Sequence, residues 1–157
     1  MNPALAEARF NRAVALLKLQ EPAKASVDFE QIAADEKATL RATAAYHNAL
    51  ALDRLGRAAE AETWLSRAIE LDARFDPAML YIGVLRERRG DLQGAGRAYL
   101  DYLRRNPDST AAMLRMGIAA QRAGRPDVAK TYLQKVIALA PQSAEATEAR
   151  KFLVMWE

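Results

Sequence analysis

The chain has no cysteine and a single histidine, His47, among 157 residues. No disulfide can staple it, and no thiolate chemistry is open to it. The missing thiol suits reducing and oxidising compartments alike, so it does not assign a location. No Glu-His or Asp-His pairing is evident to supply a base with its orienting partner. The chain is therefore expected not to be an enzyme and to carry neither cofactor nor metal. Runs of 18 apolar residues are absent, so no helical membrane span is expected. The opening MNPALAEARF has no charged region followed by an apolar core. That leads to the expectation of no secretory signal and a cytoplasmic location for the chain as written, or a periplasmic one for a trimmed mature chain. Charge of one sign is not concentrated either. The net charge is +3, and the charges are interleaved apart from Arg86-Glu87-Arg88-Arg89. Interleaving marks solvated helix faces. Thr, Ile and Val are sparse and alanine dominates, which favours helix over strand.

What is present is a repeat. Residues 110–143, 76–109 and 42–75 superimpose at a spacing of 34. The superposition aligns Ala49 with Gly83 and Gly117, Gly56 with Gly90 and Gly124, and Ala61 with Ala95 and Ala129. It also aligns Leu65 with Tyr99 and Leu133, and Pro107 with Pro141. A fixed period in this range marks stacked units that cannot bury their apolar faces alone.

Apolar spacing predicts antiparallel helix pairs over approximately 4–36, 37–75, 76–109 and 110–143, with a capping helix over 144–156, in a single domain 1–157. Pro22, Asp76-Pro77 and Pro126 suit helix starts, and the three aligned turn glycines suit helix ends. The first pair is degenerate. Val14 is placed in the small-residue column, and Ala25 and Phe29 fit only if that turn is one residue shorter. Helix is expected from about Lys37 onwards. The two small-residue columns predict where the helices of one pair cross, and Leu65, Tyr99 and Leu133 are expected to fill the gap to the next pair.

These residues resemble the tetratricopeptide repeat family, of bacterial type. Met116-Gly117, Gly124, Ala129, Leu133 and Pro141 carry the resemblance, as do Ile82-Gly83, Gly90, Ala95, Tyr99 and Pro107. The copy at 42–75 departs, with Asn48-Ala49 for the hydrophobic-glycine pair and Ala73 for the proline. The usual tryptophan is replaced by Ala45, Met79 and Met113. The resemblance implies an all-α, right-handed solenoid and a binding function rather than catalysis. It implies a concave groove lined by Tyr46, Leu50 and Asp53, by Leu80, Val84 and Glu87, and by Leu114, Arg115, Ile118 and Gln121. Asn11, Ala15 and Lys18 would come from the first pair. The apolar stripe Leu80, Val84, Leu114 and Ile118 has an equal reading as core. The family's carboxylate clamp is rejected, because its columns hold Asn11, Ala15, His47, Pro77 and Tyr81, or, one pair later, Tyr46, Leu50, Tyr81, Ala111 and Arg115, of which only Arg115 fits.

Arg54, Arg88 and Arg122 recur at the last turns of the first helices. Interaction with helix C-termini is the favoured reading, and a basic rim for an acidic partner is the alternative. Nucleic acid is not expected, since basic and aromatic residues do not interleave. Gly94-Ala95-Gly96 looks like a fragment of a phosphate loop but falls inside a helix, where its glycines would permit tight packing. In the C-terminal run Phe152-Leu153-Val154-Met155-Trp156, Phe152, Leu153 and Trp156 are expected to cover the fourth pair while the rest fray, with contact to a second copy or a larger assembly as the alternative. The function expected is a scaffold or adaptor holding an apolar or amphipathic segment of a partner protein. The alternative is an assembly subunit of a bacterial envelope or pilus-type machine acting through oligomerisation. The segment 99–109 is similar to repeats in such assembly factors.

Overall fold

Each helix of the chain can bury only a narrow stripe, often of alanines, so every helix needs a neighbour on either side. The computed structural model describes residues 3–154 and forms two compact units, Met1–Ala78 and Met79–Glu157. The described residues hold nine helices and no strand. They run α1 (Pro3–Lys18), α2 (Pro22–Ala34), α3 (Arg41–Arg54), α4 (Ala58–Leu71), α5 (Asp76–Arg88), α6 (Leu92–Arg105), α7 (Thr110–Arg122), α8 (Pro126–Leu139) and α9 (Ala144–Val154). Within each unit neighbouring helices pack as consecutive antiparallel pairs. In the first unit α2 packs on α1 and α3, and α3 on α4. In the second, α7 packs on α6 and α8, and α9 covers α8 and touches α7.

Turn chemistry sets the helix ends. Gly56, Gly90 and Gly124 adopt φ of 75°, 83° and 69°, the left-handed region that ends a helix. The first turn achieves the same geometry without glycine, at Gln20 with φ 61°. Ser109 and Ser143 cap α7 and α9 through their hydroxyls, which accept from Ala112 N and Ala146 N. The Asp91 carboxylate caps α6 by accepting from Gly94 N at 2.8 Å, and a Cβ on Gly94 would run into that carboxylate. The room at Gly94 therefore serves a cap rather than helix packing.

Two expectations are corrected, and a third gains a contact. The small residue of the first pair is Ala13, which is fully buried, whereas Val14 is half-buried. Ala13, Gln20, Ala25 and Phe29 stand 36 residues before Ala49, Gly56, Ala61 and Leu65, so the turn is not shortened. The extra residues lie between the pairs instead. There Asp35 Oδ1 accepts from Lys37 N and its carbonyl from Ala38 N, and helix begins only at Arg41. Two of the large residues of the second helices, Tyr99 and Leu133, also meet the first helix of their own pair. Leu133 lies directly on Gly117, and the Tyr99 ring directly on Gly83, within one pair.

Candidate protein-binding surface

A side chain at the middle of a first helix either points at its own partner helix or at the open side. In the second unit the structure divides the sequence-predicted stripe between these roles. Leu114 is buried in the core with Met113 and Met116. Leu80 and Val84 of α5 and Ile118 of α7 pack against that core from outside and stay half-buried. The stripe is therefore core at Leu114 and partly open at its neighbours.

Glu87 is not an acidic group free in a groove. It is 6% exposed, and three groups converge on it. The Tyr99 hydroxyl of α6 donates to Oε2 at 2.8 Å. The Arg122 guanidinium of α7 donates to Oε1 at 3.0 Å, and that of Arg115 lies 3.8 Å from Oε2. A buried carboxylate is tolerable only when donors surround it in this way. Burial, the hydrogen bond to Glu87 and its charge together push the Tyr99 hydroxyl far above its ordinary pKa. Gln121, one repeat on from Glu87, leaves its amide oxygen buried without a hydrogen-bond partner among the described residues.

The arginine column also acquires specific partners. Arg54 donates to the Leu17 carbonyl in the last turns of α1 at 2.6 Å. Arg122 reaches Glu87 of α5 in the second unit. Each joins its own first helix to the first helix of the preceding pair, so neither is an unengaged charge on a rim. Arg88 is exposed.

In the first unit, Tyr46, Leu50 and Asp53 of α3 are half-buried, while Asn11, Ala15 and Lys18 of α1 are exposed. The structure adds an aromatic cluster that sequence reasoning missed. His47 lies edge-on to Phe10 at 5.1 Å, stacks on Phe29 at 5.5 Å and meets Tyr46 at 5.5 Å, and Tyr46 continues to Phe75. These rings come from α1, α2, α3 and the segment before α5. The available signal was Phe10, which stands 36 residues before Tyr46. Burial pushes the Tyr46 hydroxyl up and the His47 imidazole below its ordinary value. The unfolded imidazole then takes a proton that the folded one refuses, so stability should fall as pH drops below about 6.5. Urea unfolding at about pH 7.5 and about pH 5.5 should show this loss, and His47→Phe should flatten it. An unchanged pH slope in the variant would remove His47 as its source.

Asn48, expected only as a departure from the repeat, is completely buried. Its amide oxygen accepts from Ser26 Oγ at 2.6 Å, and its Nδ2 donates to Glu30 at 3.4 Å, both from α2. On the same helix Asp28 is buried and accepts two hydrogen bonds from the exposed Arg12 guanidinium, which is raised in pKa by them. At the C-terminus Phe152 and Leu153 are half-buried and Val154 is exposed, while Met155 and Trp156 lie outside the described residues. Among the described residues no helix is long and apolar enough to cross a membrane, and no group of three or more His, Asp or Glu could hold a metal ion.

Two family models described as tetratricopeptide repeat match the chain, one over residues 10–77 and the other over 77–109 and 111–143. The chain belongs to the tetratricopeptide repeat family, whose repeats generally serve protein–protein interaction. No curated protein matches it. Among solved structures it is similar to PilW, a widely conserved type IV pilus biogenesis factor, with a TM-score of 0.84, 23% identity, and coverage of 91% of this chain and 66% of that one. It is similar to a MamA structure from Desulfovibrio magneticus RS-1, with a TM-score of 0.76, 20% identity, and coverage of 88% and 77%. It is also similar to YrrB, a repeat protein with an unusual peptide-binding site, with a TM-score of 0.76, 21% identity, and coverage of 96% and 76%. At these identities the likeness concerns the fold.

Proposed function

We propose that the chain is a binding module that holds an apolar or amphipathic segment of a partner protein against the first helices of its second unit. The observation that carries this is the half-open apolar row Leu80, Val84 and Ile118, which rests on a core already complete beneath it. An apolar row with that support loses little by ordering, and an amphipathic helix presenting anchors at helical spacing would cover it. The generic role of the family in protein interaction supports the same reading. Leu114 is the wrong residue with which to test it. A glutamate there would bury an unpaired charge and unfold the unit rather than report on binding.

The informative variant is Leu80→Glu with Ile118→Glu, both at half-buried positions. Capture of whatever protein the wild type retains from cell extract should fall about tenfold or more. The helical circular dichroism should remain that of the wild type. Undiminished capture by a folded variant would place binding elsewhere.

A further inference from the structure

The cleft between α7 and α9 differs in charge from the chain that carries it. Its wall is apolar, formed by Ala111, Leu114 and Ile118 of α7 and Ala144 of α9. Its volume is about 290 Å³, at the lower edge of small-molecule pockets and enough for one or two side chains. Three charged residues border it. Arg115 also reaches toward Glu87 at 3.8 Å, so Glu145 and Glu148 of α9 share a single cation at the border. Neither glutamate makes an ion pair among the described residues, including with Lys151 one turn further on. The border thus carries two carboxylates against one cation, while the whole chain has a net charge of +3.

The helix dipole accounts for Glu145, in the first turn of α9, but not for Glu148 beyond it. Spaced three apart, the two carboxylates share one side of the helix and repel each other slightly. A cation placed between them relieves that repulsion. We propose that this cleft takes a partner segment with an aliphatic side chain for the wall and a lysine or arginine beside it for Glu145 and Glu148. The proposal rests on the reading that the first-helix face of the second unit binds a partner segment, and it adds the chemistry of that segment. Charges at such a border select between partners more than they add affinity.

The test uses two labelled helical peptides with identical leucine faces, one with lysine and one with glutamate at its polar positions, and fluorescence anisotropy at about 0.15 M salt. The full chain should bind the lysine peptide about tenfold or more tightly than the glutamate peptide. Glu145→Gln with Glu148→Gln should remove the preference, and Glu145→Lys with Glu148→Lys should reverse it. Ile118→Glu should weaken both peptides. Equal binding of the two peptides by the wild type, still sensitive to Ile118→Glu, overturns the charge proposal and leaves the apolar face as a binding surface. Binding insensitive to Ile118→Glu overturns the underlying reading. A lysine preference that survives both glutamate variants, or no binding of either peptide, overturns the proposal.

Discussion

Gly117→Leu should destabilise the second unit by about 1–3 kcal/mol, the usual cost of overpacking a well-filled core. A Cβ at that position would lie 2.8 Å from Leu133 Cδ2, 2.9 Å from Leu133 Cγ and 3.5 Å from the Ala129 carbonyl. Leu133 and Ala129 are both fully buried, so neither has space to withdraw. The substitution also removes a helix glycine, which by itself stabilises by about 1 kcal/mol. The overpacking must exceed that gain for the net effect to be negative, and the contact distances say that it does. A matched control is Gly96→Ala in α6. Its new Cβ would meet Met116 Sδ only at 3.8 Å, an ordinary contact, so the propensity gain should appear unopposed. Thermal unfolding distinguishes the two, since one kcal/mol shifts Tm by about 2–4 °C in a domain of 150–250 residues. An unchanged Tm for Gly117→Leu would mean that the helices do not cross there.

Gly117 was legible because three copies of the repeat align it with Gly83 and Ala49. A column says that a position is constrained, but not which neighbour constrains it. The contact of Leu133 and Tyr99 with the glycines of their own pair therefore comes from the structure alone. The first pair was harder, because 13–15 reads Ala-Val-Ala and two small residues compete for one place. Burial decides for Ala13, and the two extra residues prove to lie in the linker at 35–40, where no glycine or proline announces a break. The resemblance implies that the polar column Asp53, Glu87 and Gln121 lines the groove. Glu87 departs from it because Tyr99 brings a hydroxyl where the other pairs have Leu65 and Leu133. That exchange was visible in the sequence, but only geometry joins residues twelve apart on two helices. The aromatic cluster around His47 draws on four separate segments, so no local pattern contained it.

Tyr99→Phe should cost the second unit about 1.5–3 kcal/mol near neutral pH, the range for a hydrogen bond to a charged group. The change leaves Glu87 Oε2 buried without the hydroxyl that donates to it at 2.8 Å, and Arg115 at 3.8 Å is too distant to replace it as it stands. Removing the carboxylate as well, with Glu87→Leu, should recover part of the loss, because no buried acceptor is then left unpaired. The pH dependence gives an independent check. The folded hydroxyl is held protonated by burial first, then by its hydrogen bond to Glu87 and that residue's charge. In the unfolded chain it ionises near its ordinary value of about 10. Above that pH the unfolded state binds fewer protons than the folded one, so the contribution of Tyr99 is complete below about pH 10 and declines as the pH rises further. Tyr46, raised by burial alone, adds a slope of the same sign in the first unit, but it is common to both proteins. The stability gap between wild type and Tyr99→Phe should therefore narrow between about pH 8 and about pH 10.5 in urea unfolding. A gap that stays constant over that interval would mean that the buried hydroxyl titrates like a free one and that Glu87 is held by its arginines alone.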